Sequence, residues 1–94
     1  MSATVTVRIP EALREFTEGK HELTVEAGSI ADVMAGLKAD GYPSLIRHVC
    51  NHEGQLRPFV NVYLGERDIR TLEGFRTRLA QGDVVTILPS VAGG

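Results

Sequence analysis

The residues with the greatest chemical capacity in this chain fall in two short stretches. The first is "HVCNHE", which sets His48, Cys50, His52 and Glu53 close together. These are metal-ligand types, and on a β-strand the i, i+2, i+4 spacing of His48, Cys50 and His52 would place all three on one side. Leu45, Ile46 and Val49 instead carry helical spacing, and residues two apart on a helix do not face each other. No further cysteine–histidine group completes a tetrahedral structural site. The stretch reads as a helix end running into a polar loop, with Cys50 a small buried hydrophobe rather than a nucleophile, and no metal is expected. Carboxylate pairs such as Glu11/Glu15, Glu18/Glu22 and Asp68/Glu73 have no apolar setting that would tune them for acid–base work. Arg67, Arg70, Arg76 and Arg78 are interleaved with acids, as on an ordinary surface or a partner contact.

The second stretch is the end, "VTILPSVAGG". Pro89 has no N–H to give and stops sheet pairing. Ser90, Val91, Ala92, Gly93 and Gly94 then hold too little apolar surface to pack, so a flexible arm is expected. Two terminal glycines lack side chains, so the backbone can thread a narrow channel and bring the α-carboxylate of Gly94 against a reagent. The residues alone leave two readings open: a reactive arm, or an end of no consequence.

The elements that must hold this arm are legible from hydrophobic period. Val5, Val7 and Ile9 alternate with Thr4, Thr6 and Arg8, which predicts a half-buried strand. "HELTVEAG" repeats the signal more weakly, and the two runs are expected to form a hairpin across an irregular "EALREFTEGK". The period then changes to that of a helix. Ile30, Val33, Met34 and Leu37 mark one face, Ser29 is a good N-cap, Asp32 imitates a capping box, and Gly41 and Pro43 close the segment. Gly36 weakens its middle by about 1 kcal/mol relative to alanine. A second short helical turn is expected over "SLIRHVC" with Leu45, Val49 and Cys50 inward. "HEGQLR" is a loop, "PFVNVYLG" a strand, and "GERD" a turn into Ile69. "TLEGFRTRLAQGD" holds a helical or 3₁₀ turn anchored by Leu72, Phe75 and Leu79. Val84–Leu88 is the last strand. The order β-β-α-(α)-β-β-β predicts an α+β domain with one main helix across one sheet face. The expected core is Val5, Val7, Ile30, Val33, Leu37, Val85 and Ile87. The expected division is a folded domain over 1–89 and a tail over 90–94.

Composition narrows the function. Ninety-four residues make one small domain, and a net charge of −2 argues against a nucleic-acid binder. One cysteine permits no internal disulfide, which fits a reducing compartment. Neither a secretory signal nor a membrane span is visible, so a soluble cytoplasmic protein is expected. A stand-alone enzyme of this size would need a catalytic constellation, and none is apparent.

"FVNVYLGERDIR" followed by "GDVVTILPSVAGG" resembles the MoaD/ThiS family of ubiquitin-like sulfur carriers, most closely the CysO type. The similarity runs in order through nearly the whole chain. Ser90 stands where alanine is common in that type. The resemblance implies a β-grasp fold: a mixed sheet of four to five strands packed on one main helix, with the first and last strands side by side. "YPSLIRHVC" would be an insertion after the helix.

The resemblance also implies a mechanism carried by the arm. An ATP-dependent activating enzyme of the MoeB/ThiF kind would adenylate Gly94. A persulfide or sulfide would then displace AMP and leave a C-terminal thiocarboxylate. The carrier itself would bind no cofactor and act as a protein co-substrate rather than an enzyme. The sulfur acceptor would most readily be a pyridoxal-phosphate-dependent cysteine synthase. Molybdopterin synthesis, with the chain as the small subunit of the synthase, thiamin synthesis and other sulfur-containing metabolites are alternatives. A ubiquitin-like protein modifier and a plain interaction domain are alternatives of another class. Residue matching points to Pro10, Leu64 and Leu88 for partner docking on the sheet face not covered by the helix. Alternation puts Val84, Thr86 and Leu88 together on one face, and Val60 and Val62 with Leu64.

Overall fold

The computed structural model describes residues 2–89. Met1 and the whole of the expected tail, residues 90–94, lie outside the described residues. Strand β1 (Ala3–Arg8) buries Ala3, Val5 and Val7 on one side, the period-2 pattern of a half-covered sheet. It pairs antiparallel with β2 (Glu22–Ala27), with Val5 beside Val25 and Val7 beside Leu23. The connection expected to be irregular is in fact a 3₁₀ helix over Glu11–Thr17. Its last residue, Thr17, is fully buried, and its hydroxyl lies 2.7 Å from the Lys20 carbonyl, so the buried polar atom has a partner.

Helix α1 (Ile30–Ala39) begins at Ser29, whose hydroxyl accepts from the Asp32 N–H at 3.3 Å. The Asp32 carboxylate in turn accepts from the Gly28 N–H, one residue further back than a capping box requires. Ile30, Val33, Met34 and Leu37 are buried against the sheet, so one stripe of the helix supplies its packing. Gly41 has φ +104°, which turns the chain so that the Tyr42 N–H reaches the Leu37 carbonyl at 3.0 Å. Gly36 faces β2 closely: a β-carbon there would stand 3.1 Å from Val25 Cγ1.

Helix α2 (Pro43–Val49) follows at once, with Pro43 in the first turn where its missing N–H is harmless. Leu45, Val49 and Cys50 point into the core, as the sequence predicts. Strand β3 (Val60–Leu64) pairs antiparallel with the two-residue β4 (Arg67–Asp68), so the "GERD" turn is the tip of a short hairpin. Two 3₁₀ turns, Ile69–Thr71 and Gly74–Arg76, lead to β5 (Val84–Pro89).

The five strands lie in the order β2-β1-β5-β3-β4. β5 is central, parallel to β1 and antiparallel to β3. This is the β-grasp arrangement, and the seven residues expected to form the core are all 1% exposed or less.

Candidate functional site

The described residues end with β5, at Pro89. Thr86 on β5 lies beside Arg8, the last residue of β1, and the two residues after it, Ile9 and Pro10, line one groove with Ile87 and Leu88. On the other side Pro89 pairs with Val60, the first residue of β3. The described chain therefore ends between Pro10 and Phe59. Arg70 holds the β3 side of this end. Its guanidinium donates to the Val60 carbonyl and to Asn61 Oδ1, both at 2.8 Å, and lies 3.7 Å from Asp68.

Alternation along β5 buries Val85 and Ile87 and turns Val84, Thr86 and Leu88 to the uncovered face, with Val84 36% and Leu88 43% exposed. Antiparallel partners share a face. Leu88 therefore has Asn61 beside it and Thr86 has Tyr63, while Thr6 and Arg8 flank β5 from β1. Further out, Glu22 accepts an exposed ion pair from Arg8 at 3.4 Å, and Glu26 accepts from the Thr4 hydroxyl at 2.9 Å. The result is two exposed apolar side chains on the central strand, Val84 and Leu88, separated by Thr86 and ringed by polar and charged residues, as at an apolar contact with a polar rim.

Two of the three expected docking residues come together here. Pro10 and Leu88 line one shallow groove with Arg8, Arg14, His21 and Glu22. Arg14 is tied down by an Nε bond to the Ile9 carbonyl at 3.1 Å. Leu64 is not brought to this face. It pairs with the fully buried Val85 and is itself half-buried against the core, on the side of Val60 and Val62. The alternation of "VNVYL" already carried that signal, and it also marks Tyr63 and Asn61 as the β3 residues of the open face. Val91, Ala92, Gly93 and Gly94, the expected reactive arm, lie outside the described residues.

The "HVCNH" stretch is arranged as a helix end. His48 stacks on Phe16 with ring centroids 4.2 Å apart, and Cys50 caps α2 and bridges to Leu56. Burial pushes the Cys50 thiol up, against a smaller opposing pull from Arg57, which disfavours the thiolate a nucleophile needs. Among the described residues no three His, Cys, Asp or Glu side chains are grouped to hold a metal ion.

Known proteins share this arrangement. The sequence profile of the ThiS family matches residues 7–94. The chain is 38% identical over 92 residues to the sulfur carrier protein CysO of Mycobacterium tuberculosis, covering 96% of this chain and 98% of that protein. The crystal structure of M. tuberculosis CysO superposes with a TM-score of 0.85 at 36% identity, over 93% of this chain and 99% of that one. CysO in the Amycolatopsis orientalis BexX/CysO complex gives 0.84 at 32% identity, over 96% and 99%. The small archaeal modifier protein 1 of Methanosarcina acetivorans gives 0.87 at 32% identity, over 100% and 99%. No helix among the described residues is long and apolar enough to cross a membrane.

Proposed function

We propose that this chain, which belongs to the ThiS family and is a CysO-like sulfur carrier, works through a thiocarboxylate made on Gly94. A free carboxylate is a poor acyl electrophile. In the proposed first step a Gly94 carboxylate oxygen attacks the α-phosphorus of ATP on an activating enzyme of the MoeB/ThiF kind, and pyrophosphate leaves. Hydrosulfide then attacks the acyl-adenylate carbonyl and AMP leaves with the bonding electrons, giving the thiocarboxylate. Its sulfur is the nucleophile passed to an acceptor, which we take to be a pyridoxal-phosphate-dependent cysteine synthase. The role of the folded domain is to present Pro10 and Leu88 for docking and to hold the root of the arm at the end of the central strand. The arm is bare because its carboxylate has to enter a partner's active site, where a side chain would block the path.

The observation that carries this reading is that the ThiS-family match runs through residue 94, so the "VAGG" end belongs to the shared pattern. The test is ATP–pyrophosphate exchange with the activating enzyme. Deleting Gly94 shortens the arm by up to ~3.5 Å. A displacement near ~1 Å already costs on the order of 100-fold in rate. Exchange should therefore be lost while the melting temperature stays that of the parent. Full exchange activity from the deletion variant would refute the reading. For the intact chain, mass spectrometry after reaction with the activating enzyme, ATP and sulfide should show one oxygen replaced by sulfur. A second reading, conjugation of Gly94 to protein amines, draws on the similarity to the M. acetivorans modifier protein. A ladder of conjugates in the host, rather than one free thiocarboxylate form, would favour it.

A further inference from the structure

The end of β5 has a second side. Phe59, in the turn immediately before β3, is 57% exposed, and its neighbour Val60 pairs with Pro89. It lines a cleft of about 490 Å³ with Phe16, His48, Ser44, Arg47 and Arg57. Among the described residues no carboxylate lines this cleft. Arg47 and Arg57 also line an adjoining depression with Lys38 and His52, again without a carboxylate. The chain carries a net charge of −2, so this is a local concentration of positive charge against the overall balance.

The two arginines are held but not neutralised. Arg57 donates through Nε to the Arg47 carbonyl at 2.9 Å, and Arg47 donates to the Ser44 hydroxyl at 3.2 Å. Neither takes part in an ion pair among the described residues; the two pairs there are Arg8–Glu22 and Arg70–Asp68. A guanidinium fixed through one nitrogen and free at the others is preorganised for a carboxylate. Beside it stand an exposed phenylalanine and the stacked Phe16–His48 pair. Arginine and aromatic anchors together are the usual energetic centre of a protein interface.

From this the geometry points to a second docking surface, built by α2 and the turn before β3, for the activating enzyme that takes the arm. Its occupant is an acidic segment of that enzyme carrying an apolar side chain, with carboxylates on Arg47 and Arg57 and the apolar group on Phe59. The placement supplies the reason. An enzyme that takes the residues following Pro89 meets both borders of the end of β5, the Pro10–Leu88 groove on one side and this cleft on the other. The inference rests on the sulfur-carrier reading above.

The test measures ATP–pyrophosphate exchange as a function of carrier concentration. The Arg47→Glu/Arg57→Glu double variant should raise the KM for carrier by on the order of tenfold or more, with kcat held, and should flatten the dependence of KM on salt. Phe59→Ala should raise KM without changing that salt dependence. A control, Arg67→Glu/Arg78→Glu, makes the same change in net charge at exposed sites elsewhere and should leave KM near that of the parent. Arg47→Gln/Arg57→Gln, checked by circular dichroism, covers the case in which the charge reversal disturbs α2. Absence of exchange with the parent would refute the sulfur-carrier reading itself. Normal exchange with an unchanged KM in the folded arginine variants would overturn the second surface. So would an equal KM rise in the control, or an altered sedimentation coefficient of the variants showing that a second copy of the chain occupies the cleft.

Discussion

Substituting Gly36 tests how closely α1 is pressed against β2. Glycine in a helix interior costs ~1 kcal/mol relative to alanine, so Gly36→Ala would stabilise the protein if the site were open. The added methyl instead stands 3.1 Å from Val25 Cγ1. The carbon–carbon optimum is about 3.5–4.0 Å, so one of the two must yield by several tenths of an ångström. Val25 is 4% exposed, is set opposite Val5 across the strand pair, and has a β-branched side chain with little rotamer freedom. Forced overpacking of this kind costs about 1–3 kcal/mol. Gly36→Ala should therefore range from neutral to ~2 kcal/mol destabilising, the difference of the two effects. Val25→Ala removes the obstructing carbon, so in that background the same substitution should recover the helix gain of ~1 kcal/mol. The assay is urea unfolding at 25 °C followed by far-ultraviolet circular dichroism on the four proteins of the cycle, with slopes compared to confirm a common unfolded state. A coupling of about 1–3 kcal/mol is expected, against the ~0.5 kcal/mol within which independent sites add. Additive effects would mean that the helix does not press on β2 and that Gly36 has no packing role.

Two further outcomes follow from burial. Leu88 is 43% exposed and its neighbours on the face are polar, so Leu88→Asp should leave the melting temperature within a few degrees of the parent. In the exchange assay it should raise the KM for carrier on the order of tenfold or more, and an unchanged KM would remove the Pro10–Leu88 groove from the docking surface. Cys50→Ala should lose about 1–2 kcal/mol of stability through lost packing, yet remain fully able to accept sulfur at Gly94. Loss of thiocarboxylation in a folded Cys50→Ala protein would give the thiol a chemical role that its burial and raised pKa argue against.

Much of the fold was written in local pattern. Val5/Val7, Ile30/Val33/Leu37 and Val85/Ile87 announce their buried faces because each lies in a run long enough for its period to show. The 3₁₀ helix over Glu11–Thr17 was not visible as one. Its buried residues, Leu13 and Thr17, are too few to show a helical period, the segment packs on α2, and a threonine with a satisfied hydroxyl gives no signal in the sequence. The two-residue β4 is too short to establish a period. At the docking site, Leu88 followed from strand alternation alone. Leu64 is suggested by resemblance alone: alternation sets it with Val60 and Val62, and the β3–β5 register places it with the buried Val85. The Phe59–Arg47–Arg57 cleft could not be read in advance, because its residues come from a helix, a turn and a 3₁₀ segment that only the tertiary fold brings together.

The central position of β5 also governs when the molecule becomes complete. β1 and β2 form one pair, β3 and β4 another, and only β5 joins them by hydrogen bonds. β5 leaves the ribosome after the other four strands, since synthesis runs from the N-terminus. Until then the nascent chain holds two half-sheets with unpaired inner edges, β1 facing one way and β3 the other, and such edges invite wrong pairing. Insertion of residues 84–89 closes both edges at once, and it is the same segment that carries the arm. A chain broken off before residue 84 lacks a finished sheet, and on the proposed reading it lacks the end to be charged as well. Under that proposal biosynthetic completion and chemical competence become a single event: a carrier able to be charged is one whose sheet has already been closed.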